Sequence, residues 1–173
     1  MGESYSNQMI KACATNNLSE VQDLINKGID IKKDSHPLKV ACAGGHTSIV
    51  ECLLSNGADI NQTNYLFYAI INGHIEVAKL LISYGADVNT GNGSCLFIIL
   101  RNLEAIKKDC IIGKYLFSQE KTEEIIELLT SNGASIMAIP ERDRKYLLDF
   151  GVPTYKYTHT PTYGRVLDTA FKI

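Results

Sequence analysis

Residues 72 to 89 read NGHIEVAKLLISYGADVN, and a near-copy, AGGHTSIVECLLSNGADIN, occupies 43 to 61. Weaker copies stand at 16 to 32 (NNLSEVQDLINKGIDIK) and 121 to 137 (KTEEIIELLTSNGASIM). A chain that repeats itself this way folds as a stack of similar pieces, each burying its apolar face against the next. Within the copies the apolar residues Val50, Leu53 and Leu54, then Val77, Leu80 and Leu81, then Ile125, Leu128 and Leu129 keep helical spacing. Each stripe closes on a glycine, Gly28, Gly57, Gly85 or Gly133, the residue that accepts positive φ at a helix end. A shorter stripe precedes each: Leu38, Ala41 and Cys42; Leu66, Ala69 and Ile70; Leu96, Ile99 and Leu100. One repeat is therefore an inner helix, a tight turn, an outer helix and a loop.

GGHTSIVECLLSNGADIN, NGHIEVAKLLISYGADVN, and His36-Pro37-Leu38-Lys39-Val40-Ala41 at the place of a T-P-L-H-x-A signature resemble the ankyrin-repeat family. The expected fold is all-α, an ankyrin-type helical solenoid of four helix-pair repeats, one with an insertion, plus C-terminal half-repeats. The expected layout is a single domain over 1–173, with an N-terminal capping repeat at 5–34 and repeats at 35–63, 64–92 and 93–138. Half-repeats at 139–173 complete it. Ser19 is expected to cap the first outer helix.

Successive closing glycines are 29 residues apart (28 to 57) and 28 apart (57 to 85), against the family's usual period of about 33. The shortfall belongs to the loops, so the family's projecting hairpins are expected to shrink to turns at 31–35 and 61–64. This short period resembles ankyrin proteins of large viruses and intracellular microbes. The fourth repeat departs the other way, because Gly133 follows Gly85 by 48 residues. The surplus lies between Asn102 and Lys121; its apolar residues Leu103, Ile106, Ile111, Ile112, Tyr115, Leu116 and Phe117 predict an inner helix running past Leu103 and a second helical piece folding back.

Composition decides what such a stack can bind. A net charge of −2, with Lys32-Lys33 and Lys107-Lys108 as isolated pairs, gives no general attraction to nucleic acid or anionic membranes. No apolar run approaches the ~18 residues that span a bilayer. The N-terminus lacks the basic and apolar regions of a signal peptide, and Met1-Gly2 fits a myristoylation pattern only loosely. Five cysteines, Cys13, Cys42, Cys52, Cys95 and Cys110, show no metal or CxxC spacing and read as reduced thiols in a cytoplasmic protein, host cytosol for a viral or secreted chain.

No hydrolase, Walker or dinucleotide signature occurs. Asp59 and Asp87 recur with the repeat, which suits turn formation and not acid–base catalysis. The resemblance assigns His46 and His74 to tethering the inter-helix turn, with no catalytic residue, metal or cofactor. It also implies another protein as partner, held on the concave face. Carried over by position, that face is Lys33, Asp34, Ala43, Gly44, Gln62, Asn64, Ile71, Asn72, Thr90, Asn92, Arg101 and Asn102, supplemented by Tyr155 and Tyr157 from an extended tyrosine-rich segment. A monomer is expected. Two alternatives compete: an enzyme or ligand site between the 103–121 insert and the 152–163 segment, using Cys110, His159, Tyr163 or Asp168, and a homo-oligomer built through Ile111 to Phe117.

Overall fold

The structure is a computed structural model that describes residues 5–107 and 117–149. It is helical throughout, with no strand among the described residues. The chain divides into two compact units, Met1–Asp87 and Val88–Ile173.

The N-terminal unit holds three helix pairs: α1 (Tyr5–Ala14) with α2 (Leu18–Asn26), α3 (His36–Gly44) with α4 (Thr47–Ser55), and α5 (Tyr65–Ile71) with α6 (Ile75–Ser83). The inner helices α1, α3 and α5 pack side by side, as do the outer helices α2, α4 and α6. Pro37 sits in the first turn of α3, where its missing N–H costs nothing. Buried outer-helix residues shared by the two helices fall eight, seven and four places before the closing glycine, Ile49, Val50 and Leu53 in α4 and Val77, Ala78 and Leu81 in α6, with Leu54 buried in addition in α4. Leu80, placed on the stripe by sequence spacing, is instead half-exposed at its edge. One residue of helix turns the side chain by about 100°, enough to carry it off the seam.

The turns differ from expectation at the first pair. Asn17, not Ser19, caps α2, its side-chain oxygen accepting from Glu20 N–H at 3.2 Å. Asn16 adopts φ 56°, the conformation glycine supplies at Gly45 (φ 73°) and Gly73 (φ 74°). The inter-repeat loops carry no hairpin, in keeping with the shortened period. Side chains bridge them instead: the Gln62 amide donates to the Lys32 carbonyl. Asp30 and Asp59 each accept from the backbone N–H two residues on, Lys32 at 3.0 Å and Asn61 at 2.9 Å. These are turn-forming carboxylates.

The C-terminal unit contains α7 (Thr90–Lys107), α8 (Gln119–Ser131), a 3₁₀ turn (Ile136–Ala138) and α9 (Glu141–Asp149). Gly91, Asn92 and Gly93 inside the first turn of α7 have φ of 68°, 56° and 68°, so a left-handed turn precedes the regular helix. Leu96, Ile99 and Leu100 pack against α8, whose Ile125, Ile126 and Leu129 are buried while Leu128 lies at the edge. The helix does continue past Leu103, to Lys107; the expected second piece of the insert falls at 108–116, outside the described residues. The Asn89 side chain clamps the loop after α8, accepting from Ser135 N–H at 2.9 Å and donating to the Gly133 carbonyl at 3.1 Å. Asn89→Ala is expected to destabilise this unit by about 1–3 kcal/mol, two hydrogen bonds being lost, read as a lower urea midpoint.

Candidate functional site

The loop and inner-helix surface of the N-terminal unit is built largely from side chains that also hold the scaffold. Asp34 accepts from the Ser6 hydroxyl at 2.6 Å, from His36 N–H at 3.0 Å and pairs with His36 Nδ1 at 2.8 Å. Partial burial pushes its carboxyl up, but the bonds from Ser6 and His36 outweigh that and hold it below the usual carboxylate range. Asn64 caps α5, accepting from Phe67 N–H at 3.0 Å, and Asn72 donates to the Tyr68 carbonyl at 2.8 Å. Lys33 projects into solvent and pairs with Asp30 at 3.3 Å. Its neighbour Lys32 and that same ion pair hold Asp30 below its ordinary value, the backbone N–H of Lys32 contributing most.

Beside these polar groups lies a cluster that the sequence reasoning missed. Lys39 Nζ sits 5.2 Å from the centre of the Tyr68 ring, and Tyr68 meets Phe67 edge to face at 6.0 Å. All three are half-exposed, as is Ile71, one helical turn beyond Phe67. The signal was present: Lys39 and Phe67 occupy equivalent positions 28 residues apart, where the signature has its histidine. A basic group on α3 and two rings and an aliphatic side chain on the neighbouring α5 form the mixed surface on which proteins anchor partners.

The turns behind this face are fixed by imidazole and glycine together. His74 Nε2 lies 3.0 Å from the Ala43 carbonyl, the tether expected of it. A Cβ on Gly45 would come within 2.4 Å of His74 Nδ1, and one on Gly44 within 2.6 Å of His46 Nε2. Both glycines are therefore required for the rings to approach.

In the C-terminal unit Thr90 and Asn92 are exposed, and Arg101 is exposed with its guanidinium 5.7 Å from the Phe97 ring centre. Asn102 is a correction. It is 6% exposed, and its amide donates to Thr122 Oγ1 at 2.8 Å and to the Phe117 carbonyl at 3.3 Å. Helix α7 turns that side chain inward toward α8, so it is structural and offers nothing to a partner. Tyr155, Tyr157, Cys110, His159, Tyr163 and Asp168 lie outside the described residues, as do 111–116 of the expected oligomer contact.

The thiols are poorly placed for chemistry. Cys13, Cys42 and Cys95 are buried and Cys52 half-buried, all four unbonded to one another. Burial pushes Cys13 and Cys42 up to about 12, with the neighbouring thiols Cys52 and Cys13 adding to the effect, and pushes Tyr65 up to about 12 as well. A thiolate is the nucleophile, so these thiols are inert at neutral pH. Iodoacetamide at pH 8 is expected to leave Cys13 and Cys42 unmodified until denaturant is added, checked by peptide mass mapping. A folded pKa above the unfolded value near 9.0 also means stability is full below pH 9 and falls as pH rises toward 12. Among the described residues no group of three or more His, Cys, Asp or Glu is placed to hold a metal ion, and no helix is long and apolar enough to cross a membrane.

The chain matches none of the curated proteins with which it was compared. Residues 9–92 match a family model described as ankyrin repeats (3 copies), a stretch that runs from within α1 through α6. Such repeats generally mediate contacts between proteins and typically carry no enzymatic activity. Helix pairs closed by left-handed glycines, a histidine tether across neighbouring turns and that match together identify residues 9–92 as ankyrin repeats.

Proposed function

We propose that this protein is a non-enzymatic binding module that recognises a partner protein through its loop and inner-helix face, as a monomer in the cytoplasm. The observation that carries the reading is the cluster of Lys39, Phe67, Tyr68 and Ile71, half-exposed on α3 and α5 beside the polar loop residues Lys33, Asp34, Gln62, Asn64 and Asn72. Rings and an aliphatic anchor held on rigid helices lose little entropy on binding, which favours affinity without rearrangement. Thr90, Asn92 and Arg101 of the C-terminal unit belong to the proposed contact set by repeat position alone, and Tyr155 and Tyr157 by their sequence alternation alone. The raised thiols of Cys13 and Cys42 and the turn-bound carboxylates of Asp30 and Asp59 support a role carried by surface contacts.

The shortened period supports a role in a large virus or intracellular microbe, directed at a host or defence protein in the host cytosol. Net charge and isolated lysine pairs argue against nucleic acid and membrane surfaces as targets. The test is affinity capture with the wild-type chain and with Ile71→Glu, both confirmed folded by circular dichroism. A charge at a central anchor is expected to cut recovery of the captured partner by about tenfold or more. Unchanged recovery removes this face from the account.

A further inference from the structure

Charge is divided between the two helix layers of the N-terminal unit. The inner helices α1, α3 and α5 hold Lys11 and Lys39 and neither aspartate nor glutamate. The outer helices α2, α4 and α6 hold Glu20, Asp23, Glu51 and Glu76 against Lys79. Buried Ala12, Ala41 and Ala69 mark equivalent places on the three inner helices, so Ile10, Lys39 and Phe67 form one row across the layer and Lys11, Val40 and Tyr68 the next. Lys11 is exposed and the other five are half-exposed. Lys39 Nζ, 5.2 Å from the centre of the Tyr68 ring, ties the two rows together. In the loops at one edge Lys32 and Lys33 stand with Asp30, Asp34 and Asp59, and each of those carboxylates is engaged within the fold. Asp30 pairs with Lys33 at 3.3 Å, Asp34 accepts from Ser6 and His36, and Asp59 accepts from Asn61 N–H. The turns at the other edge, 15–17, 44–46 and 72–74, contain no Asp, Glu, Lys or Arg.

We propose that this inner layer docks an acidic segment of a partner polypeptide in which two carboxylates are separated by apolar residues. Such selectivity rests on the reading above, since it presumes that the inner-helix face binds a polypeptide, and adds which chemistry the face selects. Two cations on helices without an anion attract carboxylates, while the acidic outer layer repels them, so the segment is steered to the inner side. Ile10, Val40, Phe67 and Tyr68 take the apolar residues, whose burial supplies affinity that exposed ion pairs alone do not. Neighbouring packed helices stand about 8–10 Å apart, and an extended chain covers about 3.3 Å per residue. Carboxylates three residues apart therefore match lysines on adjacent helices. Two lysines are fewer than the clusters of about four to eight that hold a protein on anionic lipid, which favours a polypeptide over a membrane surface.

The experiment titrates the whole chain, labelled with nitrogen-15, with N-acetyl-glutamyl-leucyl-leucyl-glutamate amide and with its glutamine analogue, following the backbone amides of α1, α3 and α5. The acidic peptide is expected to bind in the millimolar range and at least about threefold more tightly than the neutral one, the scale of two solvent-facing charge contacts. Combining Lys11→Gln with Lys39→Gln should bring the two peptides within about 1.5-fold of each other, whereas Glu51→Gln on the outer layer should leave the preference in place. Phe67→Ala should weaken both peptides alike, by about threefold. Equal binding of the two peptides, a preference that survives the double variant, or no movement at about 20 mM peptide overturns the proposal. So does lysine-dependent sedimentation with vesicles of equal parts phosphatidylserine and phosphatidylcholine in place of peptide binding. Failure of the underlying reading looks different: capture unchanged by Ile71→Glu means that the face is not used, whereas both peptides binding equally well to α3 and α5 leaves the face in use and removes only its choice of acid.

Discussion

Gly45→Ala is expected to lower the stability of the N-terminal unit by roughly 2–4 kcal/mol, the sum of backbone strain and overpacking. Two costs coincide at this residue. Its φ of 73° lies in the left-handed region, where a Cβ meets the following carbonyl. The same Cβ would stand 2.4 Å from His74 Nδ1, inside any van der Waals contact. The ring cannot simply swing away, because its other nitrogen is engaged with the Ala43 carbonyl at 3.0 Å. Gly85 provides the control: its φ is 91°, yet nothing lies within 4 Å of a built Cβ. Gly85→Ala should therefore cost only the backbone term, about 1 kcal/mol. In urea, with a slope of about 1–3 kcal/mol per molar, the two variants should differ in midpoint by roughly a molar. Adding His74→Ala to Gly45→Ala should recover the steric part, a coupling the double-mutant cycle isolates. Equal losses at Gly45 and Gly85 would show that the imidazole does not press on the turn.

The elements that could be read in advance are those set by local spacing. Gly28, Gly57, Gly85 and Gly133 all take the positive φ assigned to them, and the inner-helix residues Leu38, Ala41, Cys42, Leu66, Ala69 and Ile70 are all buried. A helix stripe and its closing glycine are fixed within a dozen residues, so sequence carries them. Leu80 and Leu128 were misplaced because spacing gives the period of a stripe but not its rotation, which the packing partner sets. Asn17 displaced Ser19 as cap because the left-handed Asn16 ends the turn earlier, a choice made by backbone geometry. The Lys39 and Tyr68 contact joins two repeats, so it does not exist until the chain has folded. Asn102 shows the limit most clearly: an asparagine after a run of apolar residues has the sequence appearance of a surface residue, and only the position of Thr122 makes it a buried one.

That burial carries the second large effect. Asn102→Asp changes one NH₂ to an oxygen with almost no change in volume, and is expected to cost the C-terminal unit about 3 kcal/mol or more. The amide nitrogen is the donor to two acceptors, Thr122 Oγ1 and the Phe117 carbonyl. Thr122 cannot reverse its role cheaply, since its own proton goes to the Ser118 carbonyl at 2.7 Å, one turn back in α8. The carboxylate would thus face two lone pairs in a site where Asn102 is 6% and Thr122 0% exposed. The introduced carboxyl is easier to protonate folded than unfolded, so its folded pKa is raised. The charge-dependent part of the penalty is absent below the unfolded carboxyl range near 3.9 and complete once pH exceeds the folded pKa, while the loss of one of two donors remains at every pH. The gap from wild type should therefore narrow as both are compared from pH 7 toward pH 4, while Asn102→Ala, which loses donors without adding charge, should show a gap that stays constant. Hydrogen exchange adds a spatial check: amides near the start of α8 should lose protection first, because Asn102 reaches the Ser118 cap through Thr122. Where the two strong repeats fix the turn between paired helices with glycine and histidine, this longer repeat uses an asparagine–threonine–backbone chain to tie the end of α7 to the start of α8. An Asn102→Asp protein as stable as wild type at pH 7 would mean that the tie is not made.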